Sequence, residues 1–380
     1  MQIKEVSQAF ISIIKSAINE TKLPKSVREK LTDEFLVDLF KLSDFHDLAH
    51  VVSYKLTKEG ITVPESFTKK ENLAKYRFGI HDFETERIMS EFEEAKIAYF
   101  ILKGATIRSI YPEPYLRASC DIDVLVKKED VKKAEEIIIK RIGAKLIEEQ
   151  QHDNLYQTES GVSIELHFAF GHTEDAKKML NLAWEKGEKV FGEYGLKMPD
   201  ELLNAYLIFH MANHFKGGGC GVKTFIDLHL LGKNRDFNAN IGEEYLKDIG
   251  LDKFSQFAYA LADYWFNGGE TNQTLTEMEK FVIGGGVYGT LKQKTKIESV
   301  KSNNYYRRRI FLPFNEMASR YRKLEKYPIL LPYYMVKRWF ALFSKDKRKS
   351  IRQELEYKKD FTNEKLQQTN KFLEELGLNS

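Results

Sequence analysis

The sequence predicts an α+β protein: a small mixed sheet embedded between N-terminal helices and a C-terminal helical domain. Three observations predict it. Up to about residue 95, apolar residues recur at the three- and four-residue spacing of amphipathic helices. From residue 97 that spacing gives way, for about 75 residues, to short apolar runs separated by turn residues. After residue 175 the helical spacing returns. A chain of 380 residues exceeds what one core usually serves, so several packed units are expected. They divide as an N-terminal helical segment (1–95), a compact α/β unit (96–172), a helical domain (173–298) and a basic, aromatic helical region (299–380).

The elements follow in order. "VSQAFISIIKSAI" and "LTDEFLVDLFKLSDFHDLAHVVSYKL" carry helical periodicity, and a third helix is expected over about 72–95. "IAYFIL" (97–102) is rich in strand formers and closes on Lys103-Gly104, where a short helix begins. Pro112 and Pro114 make "YPEPYLRAS" a loop. "CDIDVLV" is the second strand. "KEDVKKAEEIIIKRIG" is a helix stopped at Gly143. "AKLIEEQ", "NLYQTES" and "VSIELHFAF" read as three strands, the last two joined by a turn at 159–161. Beyond 175, "ELLNAYLIFHMANHF" and "VKTFIDLHLLGK" are helices separated by "GGGCG", and 240–295 continues as helix.

Composition excludes several classes. Hydrophobic content of 42% and charged content of 30% suit an ordered globular chain. With 59 basic and 56 acidic residues the net charge is +3, which gives no global reason to invoke nucleic acid. Two cysteines make no disulfide framework and fit a reducing, cytoplasmic compartment. "MQIKEVSQAFISIIKSAINE" reads as an amphipathic helix and not as a signal peptide. No run reaches roughly 18 apolar residues, so no transmembrane helix is expected.

The chemistry concentrates in "ASCDIDVLV" (118–126). Strand alternation puts Asp121 and Asp123 on one face, where two adjacent anions repel and resist burial. A divalent cation bound by hard oxygens would make the arrangement tolerable, with Mg²⁺ or Mn²⁺ as the expected ion. Glu165 in "VSIELHFAF" is placed to be a third carboxylate, either holding metal or taking a proton from an attacking hydroxyl. Ser163 and His167 share its face. Lys103-Gly104, at a strand-to-helix turn, suits a phosphate: backbone N–H groups point at it and the lysine adds a point charge.

This order of motifs is similar to the nucleotidyltransferase superfamily that shares the DNA polymerase β palm. More narrowly, "LKGATIRSIYPEPYLRASCDIDVLV", "IELH" and "HMANHF…GVKTFIDLHLL" resemble a bacterial family of uncharacterised nucleotidyltransferases, over about 97–345. The resemblance implies transfer of NMP from an NTP to an acceptor, which could be a small molecule, a protein or RNA. It makes Asp121, Asp123 and Glu165 the metal-binding and catalytic carboxylates, and Gly104 the phosphate-turn glycine. Two departures stand out. The usual Gly-Ser is Gly104-Ala105 here, and the gap from Gly104 to Asp121 is longer than usual. Lys103 and Arg117 are the candidates to compensate, Arg117 by forking onto a phosphate unless it serves an ion pair. The missing hydroxyl also supports a rival: a degenerate nucleotide- or partner-binding module that kept the fold and lost catalysis.

Other signals are weaker. His210 and His214 lie four apart on one helix face, but H-M-A-N-H lacks the zinc-protease glutamate, so a packed pair at the sub-domain interface is expected. "KGGGCGVK" lacks P-loop order. It reads as a loop that could deliver Lys216 and Lys223 toward phosphates, with Asp227 pairing Lys223 along the helix or contacting substrate. Between 301 and 350 the chain has 14 Lys/Arg against three acids, interleaved with aromatics. This stretch could pack its apolar face on the core, bind an anionic macromolecule such as tRNA (a toxin-like tRNA-modifying enzyme is the second rival), or rest peripherally on an anionic membrane.

Overall fold

The computed structural model describes residues 2–233, 238–301, 310–321, 323–342 and 345–378. Five helices come first: α1 (Gln2–Ile18), α2 (Lys25–Arg28), α3 (Asp33–Phe45), α4 (Ala49–Lys58) and α5 (Glu65–Glu94). Along α1 the buried positions include Val6, Phe10, Ile13, Ile14 and Ala17, a stripe at i, i+4, i+7, i+8 and i+11, widened by Ala9, Ile11 and Ile18. Helix α3 opens on Thr32, whose hydroxyl accepts from the Phe35 N–H, a side-chain cap of the usual kind. Helix α5 begins seven residues before the expected start, because Pro64 supplies the preset φ that launches it.

The sheet follows: β1 (Tyr99–Ile101), α6 (Gly104–Ile107), two single 3₁₀ turns (Arg108–Ile110 and Pro114–Leu116), β2 (Asp121–Val126), α7 (Val131–Lys140), β3 (Lys145–Glu149), β4 (Asp153–Gln157) and β5 (Ser163–His167). After α8 (Glu174–Lys186) it gains two more strands, β6 (Glu188–Phe191) and β7 (Gly195–Lys197). The spatial order is β3-β4-β5-β2-β1-β7-β6. β2 runs parallel to β5, β1 runs parallel to β7, and the other pairs are antiparallel. Strands β6 and β7 are too short and too charged to announce themselves by alternation. They are held from outside: the Glu93 carboxylate at the end of α5 accepts from the N–H groups of Glu193, Tyr194 and Gly195. Only glycine fits at 195, since a Cβ there would sit 2.4 Å from the Phe191 carbonyl oxygen.

The two faces of the sheet have different fates. Ile122, Val124 and Val126 of β2, with Ile164 and Leu166 of β5, point into an apolar layer under α5 and α7. The buried residues Val131, Ala134, Ile137 and Ile138 of α7 close that layer, and each such aliphatic side chain stabilises by roughly 1.5–3 kcal/mol. The alternate residues point the other way, toward the helices after the sheet: α9 (Asp200–Gly217), α10 (Val222–Leu231), α11 (Ala239–Asp248), α12 (Asp252–Phe266), α13 (Gln273–Ile283) and α14 (Leu291–Lys301). On that side Phe100, Leu102 and Leu125 join one large core with residues of α1, α4, α9, α10 and α12. The helices before the sheet and those after it thus share a single apolar interior.

The last described stretch is built from α15 (Phe314–Arg320), α16 (Lys323–Lys326), α17 (Leu331–Leu342), α18 (Lys345–Lys359) and α19 (Asn363–Glu375). Arg307, Arg308 and Arg309 of the basic run lie outside the described residues. Around α17 the chain does not lay its apolar face on the main core: Met317, Ala318, Leu324 and Tyr334 form a small separate cluster.

Candidate active site

The register of β2 and β5 sets the site. Asp123 pairs with Glu165 across the two parallel strands, Asp121 with Ser163 and Leu125 with His167. In a parallel pair, register partners share a face, so all three carboxylates stand on the side opposite the α5–α7 layer. Strand β1 brings the next turn alongside, its register extended by the Leu102 N–H donating to the Asp123 carbonyl at 2.9 Å.

That turn is strained. Lys103 has φ 44° and ψ −95°, a conformation that costs a non-glycine residue on the order of 1–3 kcal/mol. The strain aims its ammonium at the acids: Lys103 Nζ lies 3.3 Å from Asp123 Oδ1. His167 Nε2 lies 2.9 Å from the same oxygen and 3.3 Å from Glu165 Oε2. Two protein cations thus lie against the carboxylate pair. Asp123 is 4% exposed. Burial opposes its charge, but Lys103 and His167 outweigh burial and hold it well below the usual carboxylate range. Lys103 is pushed above the usual lysine range, since Asp123, with lesser help from Tyr206, Asp121 and Glu165, overcomes its desolvation. His167 rises to about 9, because its hydrogen bonds to Asp123 and Glu165 outweigh burial, so it is protonated at neutral pH.

Asp121 stands slightly apart. Its carboxylate accepts from the Ser119 hydroxyl at 3.3 Å, and the same hydroxyl reaches the Asp121 carbonyl at 3.1 Å. Gly104 packs closely under the loop: a Cβ there would meet Ser119 Oγ at 3.0 Å, which the serine would have to yield by a few tenths of an ångström. Arg117 is 6% exposed and pairs with Asp227, Nε to Oδ1 at 3.0 Å and Nη2 to Oδ2 at 2.9 Å. The Tyr111 hydroxyl adds a third bond to Asp227 at 2.6 Å. Of the two readings of Arg117, the structure shows the ion pair: its fork is engaged by α10 in a buried pair. One expectation is corrected here, since Asp227 serves Arg117 and not Lys223. Lys223 instead donates to the Ala118 carbonyl at 3.0 Å.

These groups line a cavity of about 340 Å³ that holds Lys103, Arg117, Ser119, Asp121, Asp123, Glu165, Lys223 and Asp227. Lys216 is not among its lining residues; it is the next-to-last residue of α9. Helix α9 contributes His210 and His214, whose Nε2 atoms are 2.8 Å apart. Burial and the nearby Lys103 ammonium push both below the usual histidine range, so they are neutral and one donates to the other. Among the described residues, the group with ligand atoms close enough to hold an ion is Asp123, Glu165 and His167, within 4.8 Å of one another. The histidine pair is not part of it. The remaining wall comes from two interlocked glycine loops. Gly218, Gly219 and Gly221 pack backbone to backbone against Gly289 and Val287, and a Cβ on Gly289 would lie 2.2 Å from the Gly218 carbonyl oxygen.

Sequence reasoning missed Ser119, Tyr206 and the second loop, "GGGVYG" (284–289). Ser119 had a signal, two residues before the first aspartate of the strand. The loop had one too, since its glycine run echoes 217–221.

No curated protein matches the chain. A solution structure of the antibiotic-resistance factor ANT(2'')-Ia, described as revealing substrate-regulated conformation dynamics, is similar over 50% of this chain and 98% of its own, with 13% identity and a TM-score of 0.33. The profile of the family described as uncharacterised nucleotidyltransferase matches residues 32–267, well over half the chain, including the three carboxylates, Lys103 and Lys223. The protein is therefore a member of that uncharacterised nucleotidyltransferase family.

Proposed function

We propose that this protein transfers a nucleoside monophosphate from an NTP to an acceptor, with a divalent ion as cofactor and pyrophosphate as leaving product. The observation that carries this is the Asp123–Glu165 register pair, with Asp121 two residues earlier on the same face of one cavity that also holds Lys103 and Lys223. The donor set fits the ion: carboxylate oxygens suit Mg²⁺ or Mn²⁺. Asp123 and Glu165 would hold it, with Asp121 as a further oxygen donor. When bound, the ion would supply positive charge to the attacking and leaving oxygens.

The protein's own groups divide the remaining work. An acceptor oxygen bonds to the α-phosphorus, the bond from that phosphorus to the bridging oxygen breaks, and pyrophosphate leaves with the electron pair. Glu165, half-buried and at the cavity wall, is assigned the acceptor's proton. Lys103 and Lys223 are assigned the departing phosphates as point charges. Arg117 acts as a positioning residue: held by Asp227, it fixes the loop that carries Ser119. We assign to the Ser119 hydroxyl, beside Gly104, the phosphate contact that Ala105 cannot make.

A test follows directly. Each labelled NTP is incubated with Mg²⁺ and a fractionated lysate, and label transfer and pyrophosphate release are read. Asp121→Asn and Glu165→Gln should each cut incorporation by at least about 100-fold without lowering the melting temperature. Undiminished transfer in either variant sinks the assignment. One observation favours a second reading, a binding module without turnover: Lys103 and His167 already neutralise Asp123. Calorimetry separates the two, since the module binds NTP and releases no pyrophosphate with any acceptor fraction.

A further inference from the structure

We infer that the face of α17 is a docking surface for an anionic lipid bilayer. This is independent of the reading of the cavity. Large hydrophobic side chains left exposed on the protein gather here: Ile329 (87%), Phe340 (73%), Tyr333 (61%) and Val336 (44%), flanked by Ile310, Phe311 and Phe314. Tyr333, Val336 and Phe340 stand at i, i+3 and i+7, a single stripe of the helix, and Ile329 precedes it in the adjoining 3₁₀ turn. The opposite stripe is already used. Tyr334 packs with Met317, Ala318 and Leu324 in the small local cluster, and Arg338 donates to the Ile310 carbonyl at 3.2 Å. Among the described residues the exposed stripe is thus an unpartnered face of a folded element, and exposed apolar side chains grouped in this way mark an interaction site.

Charge selects the partner. Arg320, Lys323, Lys326 and Lys337 are exposed around this face, and Lys337 lies over the Tyr321 and Tyr334 rings. The 301–350 stretch holds 14 of the chain's 59 basic residues and only three of its 56 acids, so the rest of the chain is net acidic. Apolar side chains ringed by cations match the boundary between anionic headgroups and acyl chains. Nucleic acid fits less well. Bases stack on flat π-faces, whereas Ile329 and Val336, two of the four side chains of the stripe, are aliphatic. At 12 residues the helix is far too short to span a bilayer, so it would lie in the interface plane, and no described helix is long and apolar enough to cross.

The experiment is flotation of the full chain with vesicles of phosphatidylcholine alone and of phosphatidylcholine mixed with phosphatidylglycerol. The chain should float with the mixed vesicles, stay behind with the neutral ones, and detach as salt is raised. The variants I329S/F340S and K323E/K326E, all at exposed positions, should each weaken partitioning at least roughly tenfold while keeping the wild-type melting temperature. Equal behaviour on the two vesicle types, or failure of the wild-type chain to float, overturns the proposal. So does a self-association in sedimentation that I329S/F340S abolishes, or RNA binding lost in K323E/K326E with no vesicle binding, since each assigns the face to another occupant.

Discussion

Asp123 is buried, ionised and shared between a lysine and a histidine, and the neighbouring carboxylates gain their tolerance from the same two cations. Removing one partner of such a buried set typically costs about 3–5 kcal/mol, because the other charge is left uncompensated. Lys103→Met should therefore lower the melting temperature in chelated buffer. It should also enlarge the rise in melting temperature on adding Mg²⁺, since the ion no longer competes with an ammonium. Differential scanning fluorimetry with and without Mg²⁺ reads both effects, and an unchanged Mg²⁺ increment would count against an ion at this position. Much of this was legible in the sequence. Two aspartates one residue apart at the head of an apolar strand, and a lone acid in a second apolar strand, need only the two-residue period to converge. His167 was readable as a same-face neighbour, but its bond to Asp123 depends on inter-strand register, which one chain's periodicity does not encode.

At the level of elements, the loop that leads into β2 is clamped by α10 through Arg117, Asp227 and Tyr111. Asp227→Ala would strand a buried guanidinium and should destabilise the protein by about 3–5 kcal/mol in urea unfolding. The double variant Arg117→Met/Asp227→Leu should recover most of that loss, while NTP affinity stays impaired because Ser119 is no longer held. The interlocked loops make a second claim. Gly289→Ala forces a Cβ onto the Gly218 carbonyl at a residue of φ 81°, and should cost about 2 kcal/mol or more. An unperturbed midpoint would show that the loops part readily. Arg117 and Tyr111 lie more than a hundred positions from Asp227, so local pattern pointed Asp227 at Lys223, its neighbour on the helix. Strands β6 and β7 escaped for a related reason: their pairing is specified by Glu93 and by the edge of β1, not by their own composition.

On the scale of the whole molecule, histidines tie distant helices together while buried in the neutral form. His46, His81 and His229 are 1%, 4% and 6% exposed, and desolvation lowers each to about 4. In the unfolded chain they would titrate near about 6.5. Between those values the unfolded state binds more protons than the folded one, so stability is full above about 6.5 and falls as pH drops toward 4. Urea midpoints at pH 7.5 and pH 5 should differ by a few kcal/mol in unfolding free energy, and a flat profile would show that these rings are solvated. The helical surroundings of the sheet were legible as elements but not as one interior, because helical periodicity shows which face is apolar and not what covers it. In the structure Asn19 donates to the carbonyl of Phe266 at 3.0 Å, 247 positions later, and sits 2.9 Å from the His229 ring. On a ribosome, the stripe of α1 can pack first on α3 and α4, which follow it closely in the chain. At about 5–20 residues per second, the part of it that meets α12 stays open on the order of 12–50 s, until that later helix is synthesised and closes the interior.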